Sequence, residues 1–128
     1  MNILITGVHG FVGSNLVKAL SLENVIYGLD IVTPEKEGVV KTFSWDDLDS
    51  TDFPQIDAII HLAGKAHDTR NKSAADVYFK VNKGLTQRIF DWYLTHESTK
   101  KFIFFSTVKS ASDRVEGECL TEECVPTP

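Results

Sequence analysis

No stretch of this sequence approaches the roughly 18 consecutive apolar residues of a membrane-spanning helix, so a helical integral membrane protein is excluded. A secretion signal is also missing. The apolar start, Met1-Asn2-Ile3-Leu4-Ile5, has no basic region ahead of it and is broken by Thr6 and Gly7; it reads as a buried strand of a cytoplasmic protein. Concentrated Lys and Arg are lacking too. With 13 basic against 18 acidic residues, a net charge of −5 and no basic cluster, nucleic acid is a poor partner. Cysteine is scarce: Cys119 and Cys124 stand five apart among acids with no histidine close by, which is not metal spacing. In a reducing cytosol they read as two unpaired thiols on a loop. His61 and His67 do not repeat at i, i+4, so they are fold or loop residues before they are ligands, and no metal is expected. There are no internal repeats and no low-complexity segment. What remains is small-molecule chemistry on one domain, residues 1–128, long enough to bury about two thirds of its unfolded surface.

What the sequence does contain is organised around its first thirteen residues. The strand Met1 to Thr6 runs directly into Gly7-Val8-His9-Gly10-Phe11-Val12-Gly13, with glycines spaced GxxGxxG. A plain strand-to-helix loop also uses glycine, so the triplet alone says little. If a dinucleotide pyrophosphate lies there, each glycine has a job: Gly7 for the tight turn, Gly10 for close backbone approach, Gly13 for packing of helix on strand. The phosphates would face the free N–H groups of the helix. Context strengthens the reading. A second apolar strand, Asn24 to Asp30, ends in an acid roughly 20 residues past the middle glycine, where a ribose-binding carboxylate belongs.

Along the chain, the stripe Val12, Leu16, Ala19 and Leu20 predicts a first helix from about Phe11 to Ser21. After the second strand, residues 33–38 form a polar turn and 39–44 a short strand. Trp45 through Pro54 reads as acidic and irregular. Its Asp46, Asp47, Asp49 and Asp52 are solvated loop carboxylates before they are a cation site. Ile56 to Gly64 is a strand apolar through its middle, as a parallel strand covered on both faces should be. Its small end, Ala63-Gly64, lets a ligand approach the backbone. A polar loop, Lys65 to Lys72, leads into a helix over Ser73–His96, whose stripe Val77, Val81, Leu85, Ile89 and Trp92 is widened by Phe79, Phe90, Tyr93 and Leu94. Asn82 on that helix must find partners if buried. The last strand, Lys101 to Ser106, opens onto the hydroxyl of Thr107. From Ser110 onward no regular element is expected, and the Pro126-Thr127-Pro128 ending favours an extended tail. Strands alternating with helices give an α/β fold of Rossmann type: a parallel sheet of order 3-2-1-4-5, helices on both faces, and a ligand crevice between strands one and four.

Together these residues resemble the extended short-chain dehydrogenase/reductase superfamily, and within it the NAD-dependent epimerase/dehydratase group that acts on nucleotide sugars. Thr6-Gly7-Val8-His9-Gly10-Phe11-Val12-Gly13 is similar to the family's TGxxGFxG opening, and Asp30 matches its ribose acid. His61-Leu62-Ala63-Gly64 is similar to the HLAA/G segment beside the nicotinamide ribose, Val81-Asn82 to the VN helix motif, and Phe105-Ser106-Thr107-Val108 to the SS[AV] segment. The resemblance implies NAD contacts from Gly7, His9, Gly10, Phe11, Val12, Gly13, Asp30, Ile31, Leu62, Ala63, Gly64, Lys65, Asn82 and Ser106, and puts Thr107 at the catalytic Ser/Thr position. The run Ser106-Thr107-Val108-Lys109 further resembles bacterial enzymes of surface-polysaccharide synthesis, including nucleotide-sugar 4-epimerases and 4-keto reductases.

One departure bears on activity. The family carries a YxxxK pair shortly after a loop ending in Pro-x-Pro. Here Tyr27, Tyr78 and Tyr93 lie on other elements, and none has Lys four residues on. The expectation is an amino-terminal part of a longer enzyme, inactive by itself. In the whole enzyme the resemblance implies a tyrosinate that removes a sugar hydroxyl proton while hydride moves to NAD, with Thr107 holding the sugar oxygen in place. It also implies NAD over NADP, because Asp30 would bond a free 2′-hydroxyl and repel a 2′-phosphate, and a homodimer built on the long helix. The rival readings are a non-catalytic NAD(P)-sensing module and a purely structural domain.

Overall fold

The computed structural model describes residues 1–50, 52–64, 75–107, 119–123 and 125, with backbone alone for 75–80. Five strands and two longer helices follow in the order β1 (Asn2–Thr6), α1 (Phe11–Leu20), β2 (Val25–Leu29), β3 (Lys41–Phe43), β4 (Ala58–His61), α2 (Ala75–Thr95) and β5 (Lys101–Phe104). All strand pairs are parallel, and the sheet order is β3-β2-β1-β4-β5, as the alternating pattern predicts. Strand β1 is central, with Thr6 opposite Leu29 on one side and His61 on the other.

Alternation along the strands sorts two cores. Leu4 points to one face, where Leu29, Phe43, Ile59 and, from α2, Ile89 and Trp92 bury together. Ile3 and Ile5 point to the other, against Val8, Val17 of α1, Ile26 and Ile60. Helices therefore cover both faces. The strands are shorter than their apolar runs. Strand β4 ends at His61 rather than Gly64 because β1 stops at Thr6 and turns away at Gly7, leaving Leu62 onward no partner in the ladder.

Two local outcomes differ from expectation or sharpen it. Residues Trp45–Asp49, expected to be irregular, form a 3₁₀ helix, started by a reciprocal cap in which the Asp47 carboxylate accepts the Ser44 N–H and hydroxyl at 2.8 Å each. Those bonds, the backbone one first, hold the Asp47 carboxyl below its ordinary value. Two of the four acids of residues 45–54 thus have partners, Asp47 in Ser44 and Asp49 in Arg88 of α2 at 3.0 Å. The link from β2 to β3 is a crossing loop without a helix, pinned to α1 by a bond from Lys36 Nζ to Ser14 Oγ of 2.8 Å. Residues 119–123 and 125 carry no helix or strand, and Cys119 there is free and exposed. Cys124, His67 and the Pro126-Thr127-Pro128 ending lie outside the described residues, as does the start of the long helix at Ser73.

Helix α1 sits directly on the glycine turn. A Cβ on Gly13 would stand 2.5 Å from the Gly7 carbonyl oxygen and 2.9 Å from two backbone atoms of Val8, none of which can rotate away. A Cβ on the helical Gly84 would meet nothing within 4 Å. Gly13→Ala is therefore expected to cost about 1–3 kcal/mol by overpacking. Gly84→Ala should stabilise by up to about 1 kcal/mol through helix propensity. Urea unfolding of the two variants checks this pair; shifts of the same sign would contradict the packing at Gly13.

Candidate functional site

The turn after β1 is the centre of the site. Gly7 has φ +69°, a left-handed conformation that a side chain would strain. A Cβ there would also lie 3.1 Å from the backbone nitrogen and Cα of Ala63, so the turn and the end of β4 are in contact through missing atoms. The Gly7 N–H donates to Leu29 O at 2.9 Å, tying the same turn to β2. Helix α1 then begins at Gly10 with no side-chain cap and no acid in its first turn. Its first N–H groups are left to a ligand.

Asp30 is fixed to this turn. One carboxylate oxygen accepts the His9 N–H at 3.0 Å and the other the Ile31 N–H at 2.8 Å. Each oxygen keeps a lone pair for a further donor. Around it opens a crevice of about 590 Å³ lined by Gly7, Gly10, Asp30, Ile31, Trp45, Leu62, Ala63, Gly64, Val81 and Leu85. It lies over the carboxyl ends of β1, β2 and β4, where the strand order reverses. Seven of the residues expected at a cofactor site thus line one space.

The others stand in different places. His9 is in the turn, with its ring Nε2 3.3 Å from Thr42 Oγ1. Phe11 and Val12 open α1 exposed, Phe11 at 87%. Gly13 is buried beneath the turn. Asn82 is half-buried on α2, and its Oδ1 would be 3.2 Å from a Cβ on Gly64, so it borders the crevice floor. Ser106 and Thr107 follow β5, two strands from β1, and are exposed. Lys65 lies outside the described residues. Trp45, Val81 and Leu85 also line the crevice and are not among the cofactor contacts that the resemblance implies. The signal for Trp45 was its position at the carboxyl end of β3, next to the strand that carries Asp30.

His61 is 1% exposed and stands behind the crevice rather than in it. Its Nδ1 is 2.7 Å from Thr6 Oγ1 and its Nε2 2.9 Å from Thr86 Oγ1. Burial pushes its pKa down to about 4. Among the described residues there is no group of three or more His, Cys, Asp or Glu placed to hold a metal ion, and no helix long and apolar enough to cross a membrane.

The profile described as the NAD dependent epimerase/dehydratase family matches residues 3–127. The chain belongs to that family. It is 31% identical over 118 residues to a UDP-glucose 4-epimerase of Vibrio cholerae, covering 84% of this chain and 35% of that protein. Among solved structures it is similar to a UDP-glucuronic acid 4-epimerase from Bacillus cereus in complex with NAD, at 26% identity and a TM-score of 0.73 over 100% of this chain and 46% of the other. A short-chain dehydrogenase/reductase superfamily protein from Agrobacterium tumefaciens with bound NAD matches at 25% identity and a TM-score of 0.80, covering 100% of this chain and 39% of that one. The chain spans about a third of the length of the curated relative and less than half of these structures.

The depressed His61 pKa has a consequence for stability. Between about pH 6.5 and 4 the unfolded chain takes up a proton at this ring that the native protein refuses. Stability should be fully present above pH 6.5 and fall on acidification through that window, by up to about 1.4 kcal/mol per pH unit from this group. Urea unfolding at pH 7.0, 5.5 and 4.5 should show a shallower pH slope for His61→Asn than for the parent. Identical slopes would contradict a buried neutral ring.

Proposed function

We propose that the chain is the NAD-binding part of a cytoplasmic nucleotide-sugar epimerase or dehydratase, of the UDP-sugar 4-epimerase or 4-keto reductase kind that serves surface-polysaccharide synthesis. The observation that carries this is the crevice at the strand-order reversal, which joins a side-chain-free turn, an uncapped helix start and a fixed carboxylate. Membership in the NAD dependent epimerase/dehydratase family supports it, as do the relatives described with NAD and UDP-sugars.

The residues fit a dinucleotide. The pyrophosphate would lie over Gly7 and Gly10 against the N–H groups of Phe11, Val12 and Gly13, where the positive end of α1 favours an anion. Asp30 would accept from ribose hydroxyls, and Trp45 beside it offers an apolar wall to the adenine. Leu62, Ala63, Gly64 and Asn82 would border the nicotinamide half. When bound, NAD supplies a reversible hydride acceptor. Thr107 would hold a sugar oxygen in reacting position. The proton-abstracting YxxxK pair is not among these 128 residues. Turnover therefore belongs to a protein that supplies that pair.

Titration of the 128-residue chain, read by tryptophan fluorescence or calorimetry, should give tighter binding for NAD than for NADP. Asp30→Ala should narrow the gap, since it removes both the ribose acceptor and the charge that repels a 2′-phosphate. Equal affinities in the parent would overturn the assignment of Asp30. The same preparation should convert no UDP-galactose; measurable conversion would overturn the role given to the missing pair.

The homodimer reading rests on α2 and its neighbour β5. Phe90 is 39% and Phe104 54% exposed and they line one shallow groove, with Leu94 exposed one turn along α2 from Phe90. The ring of Phe90 meets Tyr93 and Phe102, while the Phe79 side chain lies outside the described residues. Exposed aromatic and branched side chains grouped in this way mark an interaction surface. The chain should self-associate through it, and Phe90→Ala should weaken association by about 1 kcal/mol or more. A clean monomer in concentrated sedimentation runs, unaffected by Phe90→Ala, would rule this out.

A further inference from the structure

The partners of the hydroxyls around His61 orient its hydrogen bonds. The Thr86 hydroxyl has one proton and donates it to Asn82 O at 2.7 Å, so at His61 Nε2 it can only accept. Nε2 therefore carries the ring proton, and neutral Nδ1 is an acceptor. The Thr6 hydroxyl accepts from the N–H of Leu62 at 3.1 Å and of Ala63 at 3.0 Å, which uses both its lone pairs. Its own proton is left for Nδ1, at 2.7 Å. Every donor in the set has one acceptor, and both lone pairs of the Thr6 hydroxyl are used.

We propose that His61 is the positioning residue of the crevice floor, orienting the Thr6 hydroxyl so that its lone pairs hold the Leu62 and Ala63 amides against the glycine turn. It does so without lining the crevice. The same ring reaches α2 through Thr86, and the His61 carbonyl accepts the Phe105 N–H at 3.2 Å, so β1, β4, β5 and α2 meet at one residue. Elsewhere the ring faces Phe102 and Phe104, with centroids 6.2 and 5.8 Å away. Neither Thr6, Thr86, Phe102 nor Phe104 is charged, and burial is the cause of the lowered pKa. A proton on Nδ1 would meet an oxygen with no lone pair free and leave the Thr6 hydroxyl without an acceptor. The effect on cofactor affinity rests on the dinucleotide reading above; the positioning of the amides does not.

Amide hydrogen exchange on the 128-residue chain tests the tie with no cofactor present. His61→Leu removes the acceptor, and the Leu62 and Ala63 amides should then exchange about tenfold faster or more relative to Ile26 in β2. His61→Asn, whose side-chain oxygen can take the Thr6 proton, should restore most of the protection. Nitrogen-15 spectra of the parent ring should show Nδ1 bare and Nε2 protonated at neutral pH. Titration with NAD should follow the exchange, with affinity near parental in His61→Asn and about tenfold weaker in His61→Leu. Unchanged exchange in a folded His61→Leu, or a protonated Nδ1, overturns the proposal. So does equal NAD affinity in parent and His61→Leu when the amides have loosened. If the parent binds no NAD but the exchange and ring spectra come out as expected, the dinucleotide reading fails and the positioning role is supported.

Discussion

The carboxyl edge of the sheet depends on how closely one turn can approach its neighbours. Gly7 brings bare backbone to within contact of Ala63, and Gly13 lets α1 rest on the carbonyl of the same turn. From the β2 side, Leu29 O holds the Gly7 N–H and the Asp30 carboxylate holds the His9 N–H. From the β4 side, the Thr6 hydroxyl holds two amides. A methyl group at either glycine forces these distances open, and overpacking against backbone costs more than against a side chain that can rotate. The crevice is what remains when the turn is pulled equally toward β2 and β4. Its shape is a property of backbone packing, which is why so few side chains line its end at the glycine turn.

Much of this was legible in the sequence, for local reasons. Strands buried on both faces appear as unbroken apolar runs, and the alternation of strand and helix leaves few topologies once crossovers are right-handed. Gly7, Gly10 and Asp30 could be placed together because the spacing of a βαβ unit brings them to one edge. Trp45 could not. Its place depends on a crossing loop of ten-odd residues returning to pair β3 with β2, and that register is fixed by contacts distant in sequence, such as Lys36 with Ser14 and Val40 with Ile26. The 3₁₀ helix that follows was missed because four aspartates read as solvated loop, whereas one of them caps the helix and another reaches Arg88. Composition does not tell a charged loop from a charged helix whose acids have partners.

The two faces of the sheet differ in how completely they are covered. On the α1 side the crossing loop and the helix close over Ile3, Ile5 and Ile26. On the other side α2 covers β1 and β4 through Ile89 and Trp92, and β5 is an edge strand with Ile103 and Phe104 in the open, one on each face of the sheet. Exposed apolar strand edges invite pairing, so an edge of this kind is stable only with a cover. The chain spans about a third of the length of its curated relative.

His61 raises the question of why a polar ring is kept in an apolar layer between Phe102 and Phe104. A leucine would fill the space without the cost of desolvating two nitrogens, each worth about 1–3 kcal/mol if left unpaired. The two hydroxyl bonds offset that cost and yield little net stability. What they yield is direction. With leucine the Thr6 hydroxyl would be free to rotate and donate elsewhere, and the amides of Leu62 and Ala63 would lose a defined acceptor at the point where the chain leaves the ladder. With a charged ring the chain of bonds would conflict at Thr6. Only the neutral Nε2–H form satisfies every group, so the buried histidine fixes the direction of the Thr6 hydroxyl at the β1–β4 edge. That arrangement places the backbone of residues 62–64 against the glycine turn.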